Sequence, residues 1–173
     1  MRALSLAMGF LAILLVSTAS AHGGETTDEA EEQGVSVGQI TVISLVGAIA
    51  MTQLTSSMFT IQAVGFKPVM VGLAAYSGFV HLLLGLEDAL LLLGGVGVMG
   101  FLGLLVFTNQ PAPRQRLIEM ALGGVIAIMF VGYFLSGDDL HIITEDRLGL
   151  STKLAELALM ALLIQKIRQP AAS

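Results

Sequence analysis

The sequence predicts an all-α protein, a polytopic membrane helix bundle of about five transmembrane helices after an N-terminal signal peptide. Composition is the first reason: 55% of the residues are apolar and only 12% are charged, against roughly 25% charged in an average soluble domain. The second reason is that short charged clusters separate apolar stretches of about 16 to 20 residues, the length that an α-helix needs to cross a bilayer. A stretch such as 89–107 is apolar on all sides, and a soluble chain of this size has no core that could bury it.

The N-terminus has the pattern of a secretory signal. Arg2 precedes an apolar run at 4–16, and small residues follow up to Ala21. We therefore expect a signal peptide at 1–21, with an uncleaved anchor as the alternative. The next segment, 22–36, is acidic and almost free of apolar residues, so it is predicted to be a flexible extracytoplasmic tail.

Five apolar stretches predict the transmembrane helices. They are Val37–Phe59, Val69–Leu86, Ala89–Phe107, Leu117–Leu135 and Leu148–Ile167. Together they form a predicted transmembrane domain at 37–168, and 169–173 is a cytoplasmic tail. Pro68 starts the second helix, and Pro111 and Pro113 interrupt the connection before the fourth. Because all connections are short, neighbouring helices should be antiparallel.

The fifth stretch is the least apolar, because Lys153 and Glu156 lie inside it. An amphipathic helix at the membrane interface is therefore an alternative to a full crossing. The two residues are three apart on one helical face, which favours a structural ion pair over a proton relay. Glu119, near Arg116, has the same structural explanation.

The basic residues indicate the orientation, since they concentrate in cytoplasmic loops. An extracytoplasmic N-terminus puts five of them inside: Lys67, Arg114, Arg116, Lys166 and Arg168. It leaves nearly all carboxylates outside. We expect a multi-pass protein of the cell membrane with its mature N-terminus extracytoplasmic and its C-terminus cytoplasmic.

Small residues mark the predicted packing surfaces, because helices in lipid associate through close backbone approach. The first helix has a small or polar stripe of Thr41, Ser44, Ala48, Met51 and Thr55. The third and fourth carry Gly94, Gly95, Gly97, Gly100, Gly103, Gly123, Gly124 and Gly132. Packing seams are favoured for both, and the alternative is that the Gly94–Gly95 pair lets its helix flex during transport.

The histidines point to a metal site, because all three fall on the predicted outer side with most carboxylates. Without cysteine, imidazole and carboxylate are the ligands expected for a transition metal such as nickel, zinc or copper. The candidate ligands are His81, Glu87, Asp88, Asp138, Asp139 and His141. His22, at the new N-terminus, is more simply a tail residue.

Each of these groups also has a structural explanation. Glu87 and Asp88 suit the first turn of the third helix, where negative charge complements the helix dipole. Asp138 and Asp139 follow Gly137 at a helix end and suit a solvated loop. His81 lies about one turn inside its apolar stretch, so it needs a polar partner whichever interpretation holds.

The stretch from Gly78 to Gly94 resembles the core motif of the HupE/UreJ family of hydrogenase and urease accessory membrane proteins. That motif has glycine, histidine, glycine and then Asp-His before a leucine-rich helix. Gly78, His81 and Gly85 fit it, whereas Glu87 stands in place of the aspartate and Asp88 in place of the second histidine. The resemblance implies a nickel permease that is made with a signal peptide.

The predicted function is therefore a transition-metal cation permease, or a metal-binding membrane protein, with its site at the outer face. The alternative is a non-catalytic membrane subunit or scaffold of a larger complex. No catalytic motif assigns a reaction, so an enzyme is not expected. The expected partners are the lipid bilayer and other membrane proteins or further copies of the chain, and the absence of a basic patch argues against nucleic acid.

Overall fold

The computed structural model describes residues 36–57, 60–86, 88–136 and 147–168. Those residues form five α-helices and no strand: α1 (Val37–Ser57), α2 (Pro68–Leu84), α3 (Ala89–Phe107), α4 (Ala112–Ser136) and α5 (Arg147–Arg168). The all-α prediction is confirmed for this part of the chain. The predicted signal peptide and both predicted tails, apart from the last residue of the acidic one, lie outside the described residues.

The helix ends follow local rules. Ser36 and Gln39 form a reciprocal capping box at the start of α1, because each side chain accepts a hydrogen bond from the backbone N–H of the other residue. The predicted start of α4 at Leu117 was wrong, because that helix begins at Ala112. Pro113 lies in its first turn, where a missing amide hydrogen leaves no hydrogen bond unmade.

By length and composition, four helices can cross a bilayer: Val37–Ser57, Ala89–Phe107, Ala112–Leu135 and Arg147–Arg168. The chain is thus an integral, multi-pass membrane protein. Because α5 is one of these four helices, its length and composition favour a helix that crosses the membrane over one that lies at the interface. With 17 residues, α2 is about 25 Å long, slightly less than a hydrocarbon core of about 30 Å.

The bundle is a closed ring of four helices with a fifth on its outside. Helix α2 packs against α1, α3 and α5, and α4 packs against α3 and α5. The ring is therefore α2–α3–α4–α5, and α1 covers the outer side of α2. Helix α2 is the most enclosed, with Val71, Ala74 and Ala75 completely buried.

One end of the ring is closed by the connection between α1 and α2. The amides of Gln62 and Ala63 donate to the carbonyls of Val106 and Leu105 at the end of α3, and Val64 is bonded to Gln115 at the start of α4. These contacts bring the C-terminal end of α3 and the N-terminal end of α4 to the connection between α1 and α2, as antiparallel packing of neighbouring helices requires. The same end carries Lys67, Arg114, Arg116, Lys166 and Arg168, and we call it the basic end. The opposite end is the Asp88 end.

Close backbone packing holds α2 and α3 together. A Cβ atom built on Gly95 would lie 2.7 Å from the amide nitrogen of Leu82 in α2. On the neighbouring Gly94, a Cβ atom would collide with the side-chain sulfur of Met129 in α4. The packing interpretation of this pair is confirmed. In α1, the stripe residues Ser44, Ala48 and Thr55 are buried, as expected for a packing seam.

The prediction of tight crossings was wrong for four other glycines. Gly100 and Gly103 of α3 and Gly124 and Gly132 of α4 have no atom within 4 Å of a built Cβ. These four glycines lie at the outer surface of the described bundle. The prediction failed because each helix turns only one face to its neighbours, and the spacing of glycines does not reveal which face that is.

Candidate functional site

Two of the six predicted metal ligands, His81 and Asp88, belong to the described part of the chain. Glu87, Asp138, Asp139 and His141 lie outside it. Among the described residues, no group of three or more His, Asp or Glu side chains gathers where it could hold a metal ion. Within the described residues, the predicted ligands therefore do not come together as a metal site.

Asp88 caps α3. Its Oδ1 accepts hydrogen bonds from the amides of Leu90 at 2.8 Å and Leu91 at 3.4 Å. Its backbone is extended, as is usual for an N-cap residue. The structural explanation of Asp88 is confirmed.

His81 turns into the bundle. Only 4% of its surface is exposed, and its Nδ1 donates to the carbonyl of Ser77 at 2.8 Å. Because a carbonyl oxygen can only accept, Nδ1 carries the hydrogen, and a neutral ring then has its lone pair on Nε2. That Nε2 lies 3.6 Å from Oε1 of Glu156 in α5. The ring of His81 is therefore bonded to the Ser77 carbonyl and faces a carboxylate that is remote in sequence.

Glu156 is completely buried. Its Oε1 accepts from the hydroxyl of Ser77 at 2.9 Å, and its Oε2 accepts from Nζ of Lys153 at 2.7 Å. The predicted ion pair of Lys153 and Glu156 is confirmed. Glu156 is nine residues after Arg147, the first residue of α5, which places it about 14 Å along the helix axis, near the middle of the helix.

Lys153 connects this group to α4. Its Nζ donates to the carbonyl of Met129 at 3.2 Å and lies 5.3 Å from the ring centroid of Tyr133. Ser77, His81, Lys153 and Glu156 together are called the ring cluster. They link three of the four helices of the ring, and their formal charges cancel when His81 is neutral.

A second polar contact joins α2 to α5 beside the ring cluster. The hydroxyls of Tyr76 and Ser151 are 2.8 Å apart, and Ser151 also donates to the carbonyl of Leu148. Since the hydroxyl of Ser151 gives its hydrogen to Leu148, Tyr76 is the donor in the bond between them. Helices α2 and α5 are therefore held together by two adjacent polar contacts.

The basic end has a separate buried ion pair. Glu119 of α4, with 2% of its surface exposed, pairs with Lys166 of α5. The expectation that Arg116 neutralises Glu119 was wrong: Arg116 lies on the exposed face of α4, whereas Glu119 and Lys166 face each other across the contact between α4 and α5. Gln115 donates to Glu119 at 2.7 Å and bonds both backbone groups of Val64.

Sequence reasoning missed Ser77 and Gln115. A signal for Ser77 was available, because Ser77 and His81 are four residues apart and so lie on one face of α2. The same spacing joins Gln115 to Glu119, whereas its bonds to Val64 had no sequence signal because Val64 offers only backbone groups. Comparison with family models, with curated proteins and with solved structures finds no match.

Proposed function

We propose that this membrane protein is a carrier for a divalent transition-metal cation, which His81 and Glu156 bind inside the helix ring. The observation behind the proposal is the 3.6 Å separation of Nε2 and Oε1. Two ligand atoms about 2.1 Å from one metal, at a near-tetrahedral angle, lie about 3.4 Å apart. The pair thus has the spacing of neighbouring ligands around a single ion.

The surroundings of the pair support the same proposal. A histidine that binds a metal usually donates its other ring hydrogen to a carbonyl or carboxylate, which orients the ring, and the Ser77 carbonyl accepts that hydrogen from His81. The Ser77 hydroxyl in turn holds Glu156. Imidazole and carboxylate suit nickel, zinc and copper(II). Two protein ligands leave positions for water, which suits a cargo that must be released.

The proposed route starts at the Asp88 end, on the extracytoplasmic side that the charge distribution predicts. The residues that the sequence predicts for the outer side, Glu87, Asp88, Asp138, Asp139 and His141, are the candidate ligands for entry. The carboxylates among them would raise the local concentration of cations. From that end the cation reaches the ring cluster when the helices separate, because Glu156 is fully buried.

Transport by the purified full chain in liposomes tests this proposal. We expect uptake of radioactive nickel or zinc by the wild type, and a loss of at least about tenfold in His81→Ala and Glu156→Gln, since each removes one of two ligands. Glu119→Gln is the matched control, because it alters the second carboxylate that is buried among the described residues and should keep uptake near the wild-type level. Unchanged uptake in both site variants would overturn the assignment.

A membrane subunit or scaffold is the second candidate, and the outward glycines favour it. Gly100, Gly103, Gly124 and Gly132 leave open surface at which a partner helix can approach closely. This function predicts that Gly124→Ile keeps the chain folded but shifts its migration in native gels of solubilised membranes. It also predicts that the purified chain transports no metal, so the liposome assay separates the two candidates.

A further inference from the structure

The ammonium group of Lys153 occupies a position that is built for a cation. Its neighbours are the carboxylate Oε2 of Glu156 at 2.7 Å, the carbonyl of Met129 at 3.2 Å and the ring face of Tyr133 at 5.3 Å. Carboxylate and carbonyl oxygens are ligands for hard cations, and aromatic faces attract positive charge. Lys153 is also buried, with 5% of its surface exposed.

The buried carboxylate needs this positive charge. Removal of one partner from a buried ion pair leaves an uncompensated charge, which is strongly destabilising, and the penalty applies to charges within a membrane helix as well. Ser77 provides one hydrogen bond to Glu156, and His81 adds no charge when its ring is neutral. Within the described residues, Lys153 is the lysine that pairs with Glu156.

We propose that Lys153 is the resident cation of the transport site: its ammonium neutralises Glu156 whenever no metal is bound, and an arriving metal displaces it. This inference rests on the proposed function. The lysine keeps its charge throughout and no covalent bond changes. The displaced ammonium moves toward the Asp88 end, which its long flexible side chain permits because Arg147 at that end is only six residues, or about 9 Å, away.

This arrangement gives the empty carrier a neutral site. A carrier that imports cargo must return without it, and an unpaired carboxylate in the middle of the ring would oppose that step. With Lys153 present, both the loaded and the empty carrier keep Glu156 compensated. Without it, only the loaded carrier changes conformation readily, so the protein exchanges cations across the membrane but does not import them.

The test compares two measurements on Lys153→Met in liposomes held at zero membrane potential. Net uptake is radioactive nickel entering metal-free liposomes, and exchange is the same label entering liposomes that are loaded with unlabelled nickel. We expect net uptake to fall at least about tenfold relative to wild type while exchange stays within about twofold. Exchange also reports that the variant is folded. Lys166→Met is the matched control, since it removes the half-buried lysine that pairs with Glu119 and should leave the ratio of net uptake to exchange unchanged.

Each remaining outcome is decisive. Net uptake and exchange that stay equal to wild type, or fall together, in Lys153→Met would overturn the role in the return step. Lys153→Arg keeps the charge and should keep more net uptake than the methionine variant, and equal losses in both would also contradict the proposal. Absence of uptake and exchange in the wild type would instead refute the carrier function itself.

Discussion

The hydroxyl of Ser77 donates to the carboxylate of Glu156 at 2.9 Å, joining α2 to α5 across 79 residues of sequence. With Lys153 on the other oxygen, both oxygens of this buried carboxylate are occupied. Side-chain hydrogen bonds between membrane helices contribute only about 0.6 kcal/mol on average. The stability of the ring cluster therefore depends chiefly on charge compensation, and that dependence can be measured.

The charges of Lys153 and Glu156 should be strongly coupled in stability. Lys153→Met leaves a buried carboxylate without its counter-ion, and we expect it to lower the free energy of unfolding by about 3–5 kcal/mol. The double variant Lys153→Met, Glu156→Leu removes both charges with side chains of similar size, so it should regain most of that loss. Titration with a denaturing detergent, followed by circular dichroism, measures both values.

Glu119 and Lys166 provide the comparison for this cycle, because they form an ion pair at the basic end with Lys166 less buried. Lys166→Met should cost less than Lys153→Met. If the double variant at the ring cluster is as unstable as the single one, the coupling is absent. The cluster would then stabilise the fold through packing and not through charge.

Two glycines of α3 should respond oppositely to the same substitution. Gly95→Ala puts a methyl group 2.7 Å from the backbone nitrogen of Leu82. Such overpacking should lower the free energy of unfolding by about 1–3 kcal/mol. Gly100→Ala meets no atom within 4 Å and should stabilise the helix by up to about 1 kcal/mol. The same detergent titration compares them, and equal effects would show that α2 and α3 are not in backbone contact at Gly95.

Gln115 should hold the connection that closes the basic end. Its amide group bonds both the N–H and the C=O of Val64, so Gln115→Ala should speed hydrogen exchange of the amides at 62–66 by about tenfold, equivalent to about 1.4 kcal/mol. Gln110→Ala is the control, because within the described residues the Gln110 side chain bonds to nearby Thr108. Exchange measured by mass spectrometry should change for Gln115→Ala alone.

The sequence was sufficient to predict the helices but not their contacts. Apolar length alone predicted Ala89–Phe107 to the residue, and the spacing of Lys153 and Glu156 predicted their ion pair. Both depend on local geometry along one helix. The prediction failed at Ala112, where proline was taken as a break although it is also compatible with a first helical turn.

The candidate site required information that no local pattern contains. His81 was correctly expected to need a polar partner, and that partner is the Ser77 carbonyl. Glu156 was predicted only as an ion-pair partner of Lys153 or as part of a proton relay. It lies beside His81 because α2 and α5 are adjacent in the ring. Helix adjacency depends on which faces pack together, and nearly uniform apolar helices carry little sequence signal about their faces.

The orientation of the bundle can be tested directly because the chain contains no cysteine. Val64 at the basic end and Leu86 near the Asp88 end are 80% and 67% exposed, so a cysteine at either position should accept a label without disturbing the core. Since basic residues concentrate on the cytoplasmic side, a membrane-impermeant maleimide should label Leu86→Cys in intact cells and Val64→Cys only after permeabilisation. The reverse pattern would put the Asp88 end inside the cell, and metal entry would then have to start at the basic end.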